Sequence, residues 1–377
     1  MTPVFRGIVD RADLTLDMIV TGMHLLPEFK SSLDKIRKDN LCRSHFASIT
    51  LGEDSSQAMA QSFGLAVFSF SSILRDVAPD IVLLQGDRGE MLATAIAAAH
   101  MNIPLVHMSG GDYSGSIDDS IRNAISMFSH IHLTTCRLSS ERLLAMGESP
   151  NRLFEVGEPG LDVIKNMEFV PSEALAQELS LDLSKPIILA TQHSVTTEAD
   201  QAAWQMAQTL QALVELDFQC VFTYPNSDAG GRQMTGVLES YRQNKFIRIV
   251  PNLGSEKYLS LMRIASVMVG NSSSGIVESP SFKIPVVNIG TRQHGRLRST
   301  NVVDVPYDKD EIVLAVRYVL ENADFRTRLR DCINPYGDGT AADKTVEILE
   351  RLLITPALLA KWMKSGETFL SETPLGV

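Results

Sequence analysis

Cysteine is scarce in this sequence, and its distribution argues against disulfide bonds. The 377 residues include four cysteines, which lie far apart and form no CxxC pair. We therefore predict free thiols in a reducing compartment, and thus a cytoplasmic protein. The histidines show no HxxxH or similar ligand spacing, so no metal site is predicted, and we interpret His130 and His132 as packing residues on a strand.

Long apolar runs are lacking as well. The N-terminus has no apolar segment of the kind that signal peptides carry. Residues 55–74 and 91–111 are uncharged and long enough to span a membrane, but polar residues interrupt both stretches. We therefore predict that both are core segments of a soluble protein without a membrane partner.

Positive charge is in the minority. The chain has 34 Lys and Arg against 45 Asp and Glu, which gives a net charge of −11. Because an acidic surface repels phosphate backbones, this balance argues against a nucleic-acid partner. A small anionic substrate could still bind where Arg residues cluster locally.

Short apolar runs alternate with helical patterns along most of the chain. Several runs are continuously apolar, which is typical of buried parallel strands. This alternation predicts an α/β fold with two doubly wound, Rossmann-like parallel sheets. The predicted strands are residues 16–22, 45–51, 81–85, 105–108, 130–134 and 153–156, followed by 187–190, 220–223, 247–250, 266–269, 286–289 and 302–305.

The alternation pauses between Lys165 and Lys185, in a polar stretch that contains Pro171. A chain of this length is too long for one ordinary core, so we place an interdomain connection here. The first domain is predicted at about residues 1–165 and the second at about residues 166–377.

Two segments of the first domain follow predicted strands, where ligands bind in open α/β sheets. Asp87 and Arg88 open a helix whose N-terminus suits an anion, although Asp87 could simply cap that helix. A glycine-rich loop then leads to three carboxylates near an Arg, a set that suits acid/base chemistry or, alternatively, an ordinary solvated helix start. The residues of this second set are Asp112, Asp118, Asp119 and Arg122.

Three segments of the second domain also follow strands. His193 is a weak signal by itself, because a lone histidine is more often structural. Three Arg in seven residues, beginning with Arg292, suit phosphate better than a plain basic loop. A serine-rich helix start suits a diphosphate and a ribose, or else is a plain N-cap. Its candidate residues are Ser272, Ser273, Ser274, Gly275 and Glu278.

Read together and in this order, the segments resemble the hydrolysing UDP-N-acetylglucosamine 2-epimerase family, over about residues 15–305. The resemblance implies the GT-B architecture, with the active site in a cleft between two Rossmann-like domains, no cofactor, and a homodimer or homotetramer. The matching pieces are Thr21-Gly-Met-His24-Leu25, Gly86-Asp87-Arg88, Gly110-Gly111, Ile117-Asp118-Asp119-Ser120-Ile121-Arg122, His193-Ser-Val-Thr-Thr-Glu198, Gly270-Asn-Ser-Ser273 with Glu278, and Asn288-Ile-Gly-Thr-Arg292-Gln-His-Gly-Arg296.

The resemblance also implies a reaction. The anomeric C–O bond of UDP-N-acetylglucosamine breaks with loss of the C2 proton, and a 2-acetamidoglycal and UDP form. Water then adds at C1 and C2 is protonated on the opposite face, which gives N-acetylmannosamine for sialic acid biosynthesis. The implied roles are acid/base work for Asp87 and Asp118, diphosphate contact or protonation for His193, phosphate binding for Ser272 and Ser273, ribose binding for Glu278, diphosphate binding for Arg292, and support for Arg88 and Arg122.

The sequence departs from the family pattern in two places. Asp112 stands where hydrolysing relatives carry Glu, so its carboxylate reaches one methylene less far. The chain also opens with what looks like the first helix, where relatives begin with a strand and a Gly-Thr-Arg-type loop. We expect that a start site too far downstream omits that strand, and that this form is weakly stable or inactive.

Other substrates and other classes of protein agree with the same motifs. The nearest alternative is a hydrolysing 2-epimerase of UDP- or GDP-N,N'-diacetylbacillosamine, since no motif identifies the base or the sugar. From other classes, a GT-B glycosyltransferase and an inactive nucleotide-sugar binder would share the fold and the nucleotide site.

Overall fold

The computed structural model describes residues 1–26, 30–50, 56–113, 117–226 and 228–361. All twelve predicted strands are present there, although the strand predicted at residues 45–51 ends at Ala47, and residue 51 lies outside the described residues. The strands are β1 (Asp17–Thr21), β2 (Arg43–Ala47), β3 (Val82–Gln85), β4 (Leu105–Met108), β5 (Ile131–Thr134), β6 (Leu153–Glu155), β7 (Ile187–Thr191), β8 (Gln219–Thr223), β9 (Ile247–Val250), β10 (Val267–Gly270), β11 (Val286–Ile289) and β12 (Val302–Val305).

Helices connect these strands, as the alternation of patterns predicts. Residues 56–74 belong to helix α3, and residues 91–111 contribute to α4 and β4, while residue 55 lies outside the described residues. The helices are α1 (Thr2–Val9), α2 (Lys30–Asp39), α3 (Ser56–Val77), α4 (Gly89–His100), α5 (Ile117–Phe128), α6 (Arg137–Ala145), α7 (Pro159–Asn166), α8 (Ser172–Leu179), α9 (Ala202–Leu216), α10 (Gly231–Glu239), α11 (Gly254–Ile264), α12 (Ser274–Val277), α13 (Ser279–Phe282), α14 (Lys309–Glu321), α15 (Ala323–Arg330), α16 (Ala341–Arg351) and α17 (Pro356–Ala360).

Contacts divide the chain into two compact units. The first unit comprises the described residues of Met1–Tyr113, those of Ile117–Asp162 and the segment that begins at Gly339, and the second contains Val163–Asp338. The described residues from Gly339 onward therefore pack with the beginning of the chain, whereas the sequence-based division kept all residues after 165 together. Apolar residues of α1 and α16 share one core with β4 and β5, which accounts for this return.

The second unit contains one six-stranded parallel sheet. Its strand order is β12-β11-β10-β7-β8-β9, so the order reverses between β7 and β10. The central strands are buried along their whole length, as continuous apolar runs require. A reversal of this kind opens a crevice at the carboxyl ends of the two strands, where doubly wound folds bind their ligands.

The first unit contains two parallel sheets. Strands β3-β4-β5-β6 form one sheet in chain order, while β1 and β2 pair with each other in a separate sheet. Strands β4 and β5 are buried at every residue, and α4 and α5 follow the carboxyl ends of β3 and β4. The sequence predicted one doubly wound sheet here, and the described residues form a two-stranded and a four-stranded sheet.

The sequence predicted free thiols and no membrane-spanning segment, and both points can be compared with the described residues. All four cysteines, Cys42, Cys136, Cys220 and Cys332, are free, and the last three are buried. None of the described helices combines the length and the apolar character that a bilayer crossing requires.

Candidate functional site

The turn after β3 presents Asp87 at the carboxyl end of the four-stranded sheet. Gly86 adopts φ +79°, a conformation that favours glycine, and the chain then enters α4. The N-cap of α4 is Arg88, and the structure gives α4 no side-chain cap bond. Because Asp87 does not cap the helix, that structural explanation for the residue is wrong.

Arg122 on α5 contacts both Asp87 and the backbone of the glycine-rich loop at Asp112. Its guanidinium is only 7% exposed and forms an ion pair with Asp87. It also donates to Asp119 Oδ1 at 2.8 Å and to the backbone oxygen of Asp112 at 2.8 Å. Arg122 thus contacts one carboxylate at the end of β3 and one in its own helix, and its role as a support of the chemistry stays a prediction.

Asp112 and Asp118 occupy different positions in this cluster. One oxygen of Asp112 accepts hydrogen bonds from Thr135 and Ser139, each at 2.6 Å, so the shorter carboxylate anchors the start of α6. Asp118 lies half-buried in the first turn of α5. The glycine-rich loop between them, residues 114–116, lies outside the described residues.

Two further predicted residues lie at the same edge of the first unit. Arg88 is exposed at the start of α4, and His24 is exposed in a short 3-10 turn that follows β1. Both follow the carboxyl end of a parallel strand, which is the edge where the prediction placed the ligand.

The second unit brings its predicted residues together around Asn271, which follows β10 at the crevice. Gly270 adopts φ +132°, and a Cβ there would lie 2.0 Å from the carbonyl oxygen of Thr191. This close approach lets the Asn271 side chain accept from the backbone N–H of His193 at 2.7 Å and donate to its carbonyl at 2.8 Å. These two hydrogen bonds fix the loop after β7 against the loop after β10.

Asn271 also holds the arginine loop that follows β11. Its backbone oxygen accepts from Arg292 at 3.2 Å and from Gln293 at 2.8 Å. Burial lowers the pKa of Arg292, and the nearby charge of Arg296 adds to this shift. Two adjacent cations in an acidic protein form a place where an anion is stabilised.

His193 has a defined tautomer. Its Nδ1 accepts from the backbone N–H of Asn226 at 2.9 Å, so the proton of the neutral ring lies on Nε2. Burial, and then the charge of Arg292, lower the pKa of His193 to about 4, although Asp228 opposes the shift. At neutral pH the ring is therefore an Nε2–H donor.

The serine segment after β10 is a hydroxyl cluster. Ser272 and Ser274 lie 2.9 Å apart through their Oγ atoms, and Tyr258 lies 2.7 Å from Ser274. Ser273 is the N-cap of α12 but makes no side-chain cap bond, so it does not act as a plain N-cap. A Cβ on Gly275 would lie 3.0 Å from Val286, which explains the glycine by packing against β11.

Glu278 follows the short helix α12 as its C-cap, and its Oε2 atom is buried. Among the described residues its Oε2 has no hydrogen-bond partner. Burial raises the pKa of Glu278, although Arg296 opposes the shift. A buried acceptor without a partner is costly, so this oxygen is suited to a ligand donor such as a ribose hydroxyl.

Three residues that organise these sites escaped the sequence analysis. Asn271 was only part of a motif, Tyr258 lies on α11 far from any motif, and Asn226 follows β8. Asn226 could have been found, since it follows a predicted strand end. Tyr258 carries no local signal, because its contact with Ser274 depends on helix packing.

The chain matches a family model described as UDP-N-acetylglucosamine 2-epimerase over residues 7–350. It is 35% identical over 361 residues to the UDP-N,N'-diacetylbacillosamine 2-epimerase (hydrolyzing) of Legionella pneumophila, covering 96% of this chain and 94% of that protein. It is 41% identical over 296 residues to the GDP/UDP-N,N'-diacetylbacillosamine 2-epimerase (hydrolyzing) of Campylobacter jejuni, covering 78% and 77%. It is 31% identical over 350 residues to the UDP-N-acetylglucosamine 2-epimerase of Neisseria meningitidis, covering 93% and 91%.

Solved structures share the fold. The S. aureus MnaA structure with UDP superposes with a TM-score of 0.75 at 17% identity, covering 93% of this chain and 92% of that chain. A glycosyltransferase from Rickettsia africae superposes with a TM-score of 0.53 at 12% identity, covering 89% and 97%. The predicted α/β class, with parallel sheets in two units, is therefore confirmed.

Proposed function

This chain belongs to the UDP-N-acetylglucosamine 2-epimerase family and is a hydrolysing nucleotide-sugar 2-epimerase, and from this premise we propose that its substrate is UDP- or GDP-N,N'-diacetylbacillosamine. The observation that carries the choice of sugar is the identity to the Legionella protein, which extends over nearly the whole chain. The motifs alone favoured UDP-N-acetylglucosamine, so the order of preference between the two substrates is reversed.

UDP-N-acetylglucosamine is the second candidate substrate. The Neisseria protein of that name is similar over an equally long part of the chain, at a lower identity. Both sugars carry an acetamido group at C2 and undergo the same reaction there. They differ in the group at C4 and in the 6-deoxy position.

The first step of the proposed reaction is an elimination. A carboxylate takes the C2 proton, and the electron pair of the C1–O bond leaves with the diphosphate, which forms the glycal. We assign the acid/base work to Asp87 and Asp118, with Asp112 as a positioning carboxylate. Arg122 supports this assignment because it orients Asp87 and the Asp112 loop together.

The second unit supplies the proposed nucleotide contacts. The Nε2–H of His193 and the guanidinium of Arg292 would stabilise the charge that develops on the leaving diphosphate. Ser272 and Ser273 would donate to phosphate oxygens. Glu278 would accept from ribose hydroxyls, and Arg88 and His24 of the first unit would complete the substrate contacts.

The second step is hydration of the glycal. Water adds its hydroxyl at C1, and C2 takes a proton on the face opposite to the one that lost it. The sum is one water consumed, one free sugar with inverted C2 and one nucleoside diphosphate released. No other reactant is needed.

Proton NMR in deuterated water tests both the reaction and the sugar. The protein is incubated in parallel with UDP- and GDP-N,N'-diacetylbacillosamine and with UDP-N-acetylglucosamine. We expect a free 2-epimeric sugar that carries deuterium at C2, formed at least about tenfold faster from a diacetamido substrate. Faster turnover of UDP-N-acetylglucosamine would overturn the choice of sugar.

The position of bond cleavage is tested separately. In ¹⁸O-labelled water the released nucleotide should stay unlabelled, because the C1–O bond breaks. Label in the nucleotide would indicate attack at phosphorus and would contradict the elimination.

A further inference from the structure

A buried histidine lies directly behind the Gly86–Asp87 turn. His107 on β4 is inaccessible to solvent, and its Nε2 lies 2.8 Å from the carbonyl oxygen of Gly86. Its Nδ1 lies 3.0 Å from the hydroxyl of Ser126 on α5. Because a carbonyl oxygen only accepts, Nε2 carries the proton and Nδ1 accepts from Ser126. Burial lowers the pKa of His107 to about 3, so the ring stays neutral.

A cation from the C-terminal segment reaches the same helix end. Lys361 follows α17 and donates to the backbone oxygens of Ser126 and Met127, at 3.2 and 2.7 Å. It also donates to Glu148 at 2.6 Å. The side chain of Glu148 is 3% exposed and that of Lys361 is 24% exposed. This ion pair is therefore largely withdrawn from water.

Glu148 also lies close to a second buried histidine, His132 on β5. The other oxygen of Glu148 lies 3.1 Å from Nε2 of His132. His132 on β5 is inaccessible to solvent and is the register partner of His107 on β4. Contacts lead from His107 through Ser126, Lys361 and Glu148 to His132, which is adjacent to His107 only through the strand register. We call these five residues the polar ring.

The polar ring places an ion pair and two histidines where apolar side chains could fill the same space. Burial lowers the pKa of His132, and burial also lowers the pKa of Lys361 although Glu148 opposes it. Burial alone would raise the pKa of Glu148, but His132 and Lys361 together lower it. A buried ion pair between neutral histidines adds little stability relative to apolar side chains, whereas it does specify one arrangement of its neighbours.

We propose that His107 is a positioning residue for Asp87, and that the polar ring makes the C-terminal segment a working part of the acid/base site. The donor on His107 holds the carbonyl of Gly86, which immediately precedes Asp87. Lys361, itself paired with Glu148, holds the backbone of Ser126, whose hydroxyl donates to His107. This inference rests on the proposed catalytic role of Asp87.

The first test compares His107→Leu with His107→Gln. The amide nitrogen of Gln can reach the position of Nε2 and keep the bond to Gly86, whereas Leu removes it. For His107→Leu we expect kcat to fall about tenfold to a hundredfold, with KM changed less than about threefold. His107→Gln should recover most of that loss.

Hydrogen–deuterium exchange gives a readout that needs no substrate. Peptides that cover residues 86–89 should exchange faster in His107→Leu than in the unsubstituted protein, and His107→Gln should restore protection. Unchanged exchange in His107→Leu would overturn the inference. Faster exchange with full activity would support the positioning contact and count against Asp87 as the catalytic group.

The second test separates the role of the polar ring from simple stabilisation. Lys361→Met should lower kcat about threefold to tenfold, and a double variant with Glu148→Gln should lose less than the sum of both single effects. The matched control is Lys344→Met, a substitution of an exposed side chain on α16, which should leave kcat unchanged. If Lys361→Met lowers the melting temperature but retains the kcat of the control, the polar ring only stabilises the fold.

Discussion

At the residue scale, Arg122 holds Asp87, the carboxylate of the first unit to which we assign the acid/base role. It is nearly buried and binds Asp87, Asp119 and the backbone of Asp112 together. Asp112, in contrast, uses an oxygen for the hydroxyls of Thr135 and Ser139. These contacts favour Asp87 over Asp112 as the acid/base group.

Substitution of Asp87 tests this choice. Asp87→Asn keeps the size of the side chain but removes the base, so we expect kcat to fall about 10²- to 10⁴-fold. Asp119→Asn is the control, since it removes another partner of Arg122 and should cost about tenfold or less. The initial rate of nucleotide release measures both. Equal losses would mean that Asp87 only orients Arg122.

Substitution of Glu278 should have opposite effects on the stability of the fold and on substrate binding. Burial raises the pKa of Glu278, so the folded state disfavours its ionised form. Glu278→Gln should therefore leave the melting temperature equal or higher, more so at pH 8 than at pH 5, while KM rises about tenfold or more. Differential scanning calorimetry and steady-state kinetics check the two parts.

Glu198 provides the matched control for that substitution. Its two oxygens accept from Thr291 and Gln205, each at 2.7 Å. Glu198→Gln loses one acceptor, so its melting temperature should fall. A fall of equal size in Glu278→Gln would contradict a ligand role for Glu278.

At the element scale, the geometry of the second site comes from the reversal of strand order between β7 and β10. The loops after these strands meet because Gly270 lets β10 approach the end of β7. Asn271 then fixes the backbone of His193 and the arginine loop at once. The site is thus built from strand ends, and α12 adds only four residues.

Substitution of Gly270 should therefore collapse the site. A Cβ would overlap the carbonyl of Thr191, and φ +132° is unfavourable for any other residue. We expect Gly270→Ala to reduce the free energy of unfolding by about 3 kcal/mol or more. Gly236→Ala on α10 has open space and should raise it by about 0.5–1 kcal/mol. Chemical denaturation checks both, and a neutral Gly270→Ala would refute the close approach.

At the scale of the whole molecule, histidines whose pKa values are lowered by burial make the fold sensitive to acid. Burial lowers the pKa of His107 to about 3, and the pKa values of His130 and His193 to about 4. The unfolded chain takes up protons near pH 6.5, whereas the folded chain does not. Stability should therefore fall as the pH drops from about 7 to about 4. The raised pKa of Glu278 opposes this fall, because the folded chain holds that proton more tightly than the unfolded chain does.

Thermal melting measures this sensitivity. Between pH 7.5 and pH 5.0 we expect the melting temperature to fall by at least about 5 °C. His130→Asn should reduce the fall, because its amide oxygen can replace the Nδ1 that accepts from Leu105 at 3.0 Å. His100→Gln on the exposed end of α4 should leave it unchanged. A pH-independent melting temperature would contradict buried neutral histidines.

Assembly and location stay predictions at this scale. A homodimer or homotetramer is expected from the family resemblance, and a cytoplasmic location from the unpaired cysteines.

The sequence by itself determined the strands, their parallel class, the residues at their carboxyl ends and the family. These are local features, since a buried parallel strand is an apolar run and a loop follows where the run ends. It also determined the candidates Asp87, His193, Ser272, Glu278 and Arg292 in this way.

Only the tertiary structure decided which of these residues meet. Arg122 pairs with Asp87 across 35 positions, and Lys361 pairs with Glu148 across 213. His130 and His132 were interpreted as packing residues, yet they carry polar contacts with Leu105 and Glu148. Periodicity records burial but not the order of strands in a sheet or the side chains that face each other, and those depend on the packing of distant segments.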